Sequence, residues 1–174
     1  MPGFGHVAVG MAAARARAPG EWSRGRLAAS MAAWGALSLA PDLDVIGFRF
    51  GVPYGSEFGH RGATHSLVAA IAGGVLVGAI ASARRRRLQW KLGLAAIAVL
   101  ASHGLLDAMT DGGRGVALLW PFTTARYFFA LHPIPVAPIA AGMLSARGAY
   151  VTVVELVLFA PFWLWAIRPR QQRP

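Results

Sequence analysis

Apolar residues collect into four long runs, 27–40, 67–83, 92–106 and 149–167, and charge is almost absent inside each. Unbroken apolar stretches of this kind read as helices that cross a bilayer, not as helices with one wet face. A crossing takes roughly 20 residues at about 1.5 Å of rise each, so the run 27–40, which stops at Pro41, is a marginal span without help from its flanks. A shorter apolar stretch over roughly residues 4–18 predicts a short N-terminal helix. Between the runs the polar punctuation is distinct: an RRRR turn at 84–87 and a Gly- and Pro-containing segment over 111–148. Pro133, Pro135 and Pro138 make 132–138 extended or irregular, while WPFTTARYFF (120–129) suits the headgroup layer. No internal repeat is visible. The expected fold is therefore all-α, a single domain over 1–174: a polytopic membrane bundle of about four spanning helices plus a short N-terminal helix.

Composition sharpens this picture. Of 174 residues, 56% are hydrophobic and only 14% charged, too apolar for an ordinary soluble domain. The net charge of +10 might be expected to draw nucleic acid, but its placement favours a membrane. Arg15, Arg17, Arg24, Arg26, the four arginines 84–87, Lys91, Arg168, Arg170 and Arg173 make up twelve of the seventeen basic residues, and they share one side if the runs alternate in direction. By the positive-inside rule that side is cytoplasmic, which predicts a multi-pass protein of the inner membrane that makes no direct contact with nucleic acid. Arg49, Arg61, Arg114, Arg126 and Arg147 scatter over the outer loops. With no cysteine, neither a disulfide nor a thiolate metal site is possible. The first residues lack a basic stretch ahead of their apolar part, so they make a poor cleavable signal and are expected to stay in the mature protein.

The acids and histidines carry the chemistry. There are only seven acidic residues, and Asp42, Asp44, Glu57, Asp107 and Asp111 fall on the outer side together with His60, His65 and His103. Ionisable groups at or within a bilayer are costly, and a cluster of His and Asp attracts a cation. His103 and Asp107 are four apart on one helical face, a spacing that also occurs in plain packing pairs. In PDLD (41–44) the proline ends a helix and presents two carboxylates; one can ligate and the other orient a ligand or accept a proton. The plain alternative is a solvated turn. GHRGATHS (59–66) opens the next run, with Thr64 or Ser66 as its N-cap. There His65 stands at a helix start, His60 approaches from the loop, and Arg61 is suited to grip a phosphoryl oxygen. Plain lipid anchoring is the competing reading. If Arg15 and Arg17 mark the inner end of the first helix, His6 lies toward the outer layer and can join the site, although a lone histidine near a terminus is a weak signal. His132 reads as structural. Glu155 is either an outer partner of the site or a helix–helix contact.

In order and spacing, GHVAVG (5–10), LAPDLD (39–44), FGHRGATHS (58–66), SHGLLDAMTDGG (102–113) and LLWPF (118–122) resemble the YdjM-like family of inner-membrane metal-dependent hydrolases, also described as LexA-binding. The match runs from residue 5 to about 122, and FGHRGATHS and SHGLLD are its most specific parts. The resemblance implies a membrane-embedded helical hydrolase with ligands among His6, Asp42 or Asp44, His60, His65, His103 and Asp107. More loosely, the order His, Asp, His, HxxxD is similar to that of the zinc-dependent phospholipase C and P1 nuclease group. His132 and Glu155 are wrongly spaced for that group's later ligands, so one or two ions are expected, not three.

Nitrogen and carboxylate donors without sulfur suit zinc, with manganese or iron as alternatives. The expected centre uses His103, Asp107, His60 or His65, and one of Asp42 and Asp44; the remaining aspartate acts as base or outer partner, and Arg61 neutralises a phosphate. A site at headgroup depth favours a lipid or lipid-linked phosphate ester, which reaches it by lateral diffusion. The competing expectation is a non-enzymatic adaptor with a structural metal, whose cytoplasmic arginines recruit a LexA-type partner. Four protein ligands with no open position would favour the adaptor, and three ligands plus water the hydrolase. An ion carrier ranks last, because few polar residues besides Glu155 and Ser38 line the helices. The oligomeric state is not legible, although Gly73, Gly74 and Gly78 permit close helix packing within or between chains.

Overall fold

A computed structural model describes residues 3–138 and 140–169. Its helices are α1 (Phe4–Arg17), α2 (Arg24–Ser38), α3 (Leu67–Arg85), α4 (Trp90–Ala108), α5 (Ala146–Leu158) and α6 (Ala160–Ile167), with 3₁₀ segments at Ala40–Phe50, Ala63–His65 and Ala140–Leu144. Among the described residues extended pairing is limited to isolated bridges, Thr110 with Ile134 and Val116 with Tyr127. Serines set several helix starts: Ser23, Ser66 and Ser145 each accept a hydrogen bond from a backbone N–H in the first turn of α2, α3 and α5. Ser66, not Thr64, is thus the cap of α3.

The expected four spans are too many. Among the described residues only α3 and α4, 19 residues each, are long and apolar enough to cross a bilayer, and a third crossing exists if α5 and α6, bent by 63° relative to one another, count as one. The run 27–40 falls short for a physical reason. Arg24 and Arg26 occupy the first turn of α2 and Pro41 follows its end, leaving 15 residues, or roughly 22 Å at about 1.5 Å each, against a hydrocarbon core of about 30 Å. The 14 residues of α1 are shorter still.

α1 lies at the centre, against α2, α4, α5 and α6, while α3 pairs with α4. On its other side α3 exposes Ile71, Val75, Leu76 and Ile80, as a lipid-facing helix must. The basic ends gather: Arg17 donates to the Lys91 carbonyl at 2.9 Å and Arg15 to the Arg168 carbonyl at 2.7 Å. Beside them Ala14, Met31, Trp34, Ala96, Val99 and Ala166 form an apolar core. His6, the start of α3 and the end of α4 therefore share the opposite end of the bundle.

The small residues of α3 work within the chain. A Cβ at Gly74 would overlap Ile97 and crowd the Gly93 carbonyl of α4, so the two backbones approach as only glycine allows. Gly74→Val is expected to lower stability by about 1–3 kcal/mol or more through overpacking. Gly25→Ala, where the added Cβ meets open space, should be neutral or slightly stabilising. Thermal unfolding of both variants in detergent checks this; equal midpoints would contradict the packing.

Candidate metal centre

Pro41 begins the construction. It follows the end of α2 and opens a 3₁₀ segment in which Asp42 N–H bonds the Leu39 carbonyl, leaving the Ser38 carbonyl free of its usual helical partner. That carbonyl is 2.7 Å from His103 Nδ1. Since a carbonyl only accepts, Nδ1 carries the proton and Nε2 keeps its lone pair. His65 is oriented similarly, its Nδ1 3.0 Å from Thr64 Oγ1 and 3.2 Å from Asp44 Oδ2, while the Thr64 hydroxyl donates to Asp44 at 2.7 Å. Its Nε2 then also faces inward with a lone pair, 3.1 Å from His103 Nε2.

Two carboxylates complete the group. Asp42 Oδ1 lies 3.3 Å from His103 Nε2 and 3.4 Å from His65 Nε2, and Asp107 Oδ2 lies 3.7 and 3.4 Å from the same atoms. Ligand atoms of Asp42, His65, His103 and Asp107 all fall within 4.8 Å of one another. A tetrahedral ion with bonds of about 2.0–2.1 Å sets its donors about 3.4 Å apart, so these four atoms fit a small divalent cation. Their chemistry, two imidazoles and two carboxylates without sulfur, is that of a site able to hold a divalent metal ion.

The electrostatics point the same way. Burial opposes ionisation of Asp42, yet the imidazoles of His103 and His65 beside it, when protonated, override it and hold the carboxyl well below its usual range. Asp44 is likewise held low, against its burial, by His60, His65 and Thr64. Burial would lower the pKa of His65, but its bonds to Asp107, Asp42 and Asp44 push it up to about 10. Without a cation, then, a proton on His65 compensates these charges.

A second group, Asp44, His60 and His65, is also close enough to hold an ion, with His60 Nδ1 2.8 Å from Asp44 Oδ1. A neutral imidazole has one lone pair, so His65 serves one group or the other. The four-atom group is the more buried, and in it Asp44 becomes the outer partner that orients His65. His6 sits alongside: its ring stacks on His103 with centroids 3.7 Å apart, and Nε2 is 3.7 Å from Asp107 Oδ1. Both His6 nitrogens are buried without a hydrogen bond.

Arg61 is 2% exposed. Its guanidinium donates to Thr110 Oγ1, to the Gly112 carbonyl and, at 3.2 Å, to Asp107 Oδ1. The residue adopts a left-handed backbone, φ 63°, an unfavourable conformation for a side chain of this size that these bonds hold in place. Glu155 is the helix–helix contact: Oε2 accepts from Gly5 N–H at 3.1 Å, tying α5 to the start of α1. The other outer acids serve loops, Glu57 accepting from Trp120 Nε1 and Asp111 from Val136 N–H. His132 packs on Phe128 away from the cluster.

Sequence reasoning missed the Ser38 carbonyl and the hydroxyls of Thr64 and Thr110. Only the first had a signal, since Pro41 must free a carbonyl in the last turn of α2. It also missed Gly104, between His103 and Asp107. A Cβ there would overlap the His65 carbonyl, so the absent side chain lets His65 reach the α4 histidine.

The cluster opens on one side. Asp42 and His60 line a cavity of about 530 Å³ that also meets Val45, Tyr54, Arg114 and Val136. Asp42 is the least buried of the four candidate ligands, its side chain 29% exposed.

Apolar helices around a buried His/Asp cluster, set at the end away from the arginines of the α1 and α3 C-terminal turns, define a helical membrane protein with a candidate metal centre. Comparison with known proteins narrows the class. The model of a family described as YdjM inner membrane protein matches residues 1–172. "Inner membrane protein YbcI" of Escherichia coli (strain K12) is 41% identical over 130 residues, covering 74% of this chain and 72% of that protein. The chain thus belongs to the YdjM inner membrane protein family, and it is an inner membrane protein. No solved structure matches it.

Two substitutions that leave all four candidate ligands in place test the assembly. Gly104→Ala should displace His65, and Asp44→Asn should weaken its orientation; each is expected to reduce zinc affinity roughly 10–100-fold, the usual scale for outer-partner losses. Competition with a chromogenic chelator measures it, and unchanged affinity in both variants would exclude the four-atom centre.

Proposed function

We propose that this protein is a membrane-bound metal-dependent hydrolase that cleaves a phosphate ester of a lipid or lipid-linked substrate. The observation that carries the reading is the opening of the His/Asp cluster, through Asp42 and His60, into the 530 Å³ cavity. A metal that only braces a fold needs no such access. Asp42, His65, His103 and Asp107 would hold the ion, which supplies Lewis acidity and activates water near neutral pH. His60, hydrogen-bonded to Asp44 and lining the cavity, is positioned to take a proton there and pass its positive charge against the carboxylate. Arg61 fixes the charge and position of Asp107 from behind.

A lipid substrate is supported by the surroundings of the site. Leu43, Ile46, Phe50, Phe58 and Phe122 are all exposed on the loops at this end, as in a surface that sits among headgroups. These loops lie opposite the arginine-rich ends, which supports a reaction at the non-cytoplasmic face under the positive-inside rule.

One observation favours the adaptor instead: four protein donors can close a tetrahedron without leaving a position for water. In that reading the metal is structural and the basic cytoplasmic ends recruit a protein of the LexA type. The distinction is direct. Metal-replete protein in mixed micelles should release phosphate or a phosphorylated headgroup from phospholipid, and His103→Ala and His65→Ala should each lower the rate by more than about a hundredfold, beyond the loss from an outer partner, together with bound zinc measured by elemental analysis. Full zinc occupancy with no hydrolysis of any phosphate ester tested would overturn the hydrolase and leave the adaptor.

A further inference from the structure

Three arginines surround the mouth of the metal cluster, and two are committed. Arg61 is buried against Asp107, Thr110 and Gly112. Arg126 directs its guanidinium at four backbone carbonyls, those of Tyr54, Ser56, His60 and Gly115. Arg114 is different. It lines the cavity, is exposed, and has no hydrogen bond or ion pair among the described residues.

We propose that Arg114 is the anion-gripping, specificity-determining residue of this cavity, receiving the phosphate of an anionic amphiphile whose apolar portion lies along Val45, Val136 and Met143. The proposal rests on the hydrolase reading for what happens next, but the binding stands on its own observations. A guanidinium without a partner at a cavity wall has its fork of donors available for phosphate oxygens. The one carboxylate in the cavity wall, Asp42, faces the histidines and is committed to the cation, so it does not neutralise Arg114 across the opening.

The remainder of the wall selects the rest of the molecule. Three residues per turn in the 3₁₀ segment put Asp42 and Val45 on one face, so ion and apolar wall stand side by side. Leu43 and Ile46, also three apart, share a second face and are exposed. Leu144, next in sequence to the lining residue Met143, is 93% exposed. An apolar lip of this kind holds an acyl chain and offers little to a free phosphate ion.

Binding to the full-length protein in uncharged detergent tests this without turnover. The probes are oleoyl lysophosphatidate, uncharged monoolein and inorganic phosphate, followed by thermophoresis. Wild-type protein is expected to bind lysophosphatidate about tenfold more tightly than monoolein, on the scale of a hydrogen-bonded charge. Arg114→Gln should abolish that preference, and Arg114→Lys should keep part of it. Val136→Asn, which removes apolar wall without adding charge, should weaken lysophosphatidate and leave inorganic phosphate unchanged. Equal lysophosphatidate affinity in wild type and Arg114→Gln would overturn the proposal. Inorganic phosphate binding as tightly as the lipid would overturn the lipid assignment in favour of a soluble anion. Zinc content of Arg114→Gln should match wild type; a wild-type protein that keeps the lipid preference but hydrolyses no phosphate ester would sink the hydrolase reading alone.

Discussion

Two imidazole lone pairs facing each other at 3.1 Å, with carboxylate oxygens closing in at 3.3–3.7 Å, demand a positive charge between them. Four acceptors cannot crowd together in a buried space otherwise. A proton on His65 meets part of the demand and a divalent cation meets it more fully. Much of the surrounding structure keeps those acceptors pointed inward: the Ser38 carbonyl turns His103, the Asp44 and Thr64 pair turns His65, Arg61 holds Asp107, and Gly104 removes the side chain that would keep His65 away.

This concentration of polar groups is tolerated because of where it lies. The bundle is apolar along its length and gathers most of its arginines at one end, so the opposite end is left for the acids and histidines. Helices α1 and α2 fall short of a full crossing, and α4 ends at the cluster. Polar backbone freed at these ends is used by the site, which limits the cost of bringing charge near the hydrocarbon. The loop over residues 109–138 closes this end through bonds from Ala117 N–H to the Arg61 carbonyl and from Leu67 N–H to that of Leu118.

The cavity decides how such a cluster is used. Four donors satisfy a structural ion, yet the donor nearest solvent, Asp42, stands at a cavity whose walls are partly apolar and whose free charge is positive. That asymmetry is what the proposed reading, a site that receives an anionic amphiphile from a membrane, would use. His6, stacked on His103 and facing Asp107, supports the same cluster from α1, and the Glu155 carboxylate holds α1 in place.

The sequence by itself determined the membrane class, the helices at 67–83 and 92–106, the side on which the arginines gather, and the residue types of the centre. Each of these rests on local pattern: apolar run length, charge placement, or the i,i+4 spacing of His103 and Asp107. It overcounted the spans because run length alone does not show that Arg24, Arg26 and Pro41 leave α2 too short. Only the tertiary structure decided which of Asp42 and Asp44 stands against the Nε2 atoms of His65 and His103, that Arg61 is turned inward, that His6 stacks on His103 outside the four-atom group, and that Arg114 has no hydrogen-bonding partner among the described residues. Those outcomes depend on distances between segments 20 to 100 residues apart, set by backbone approach at Gly104 and a single freed carbonyl at Ser38, and no spacing along the chain encodes them.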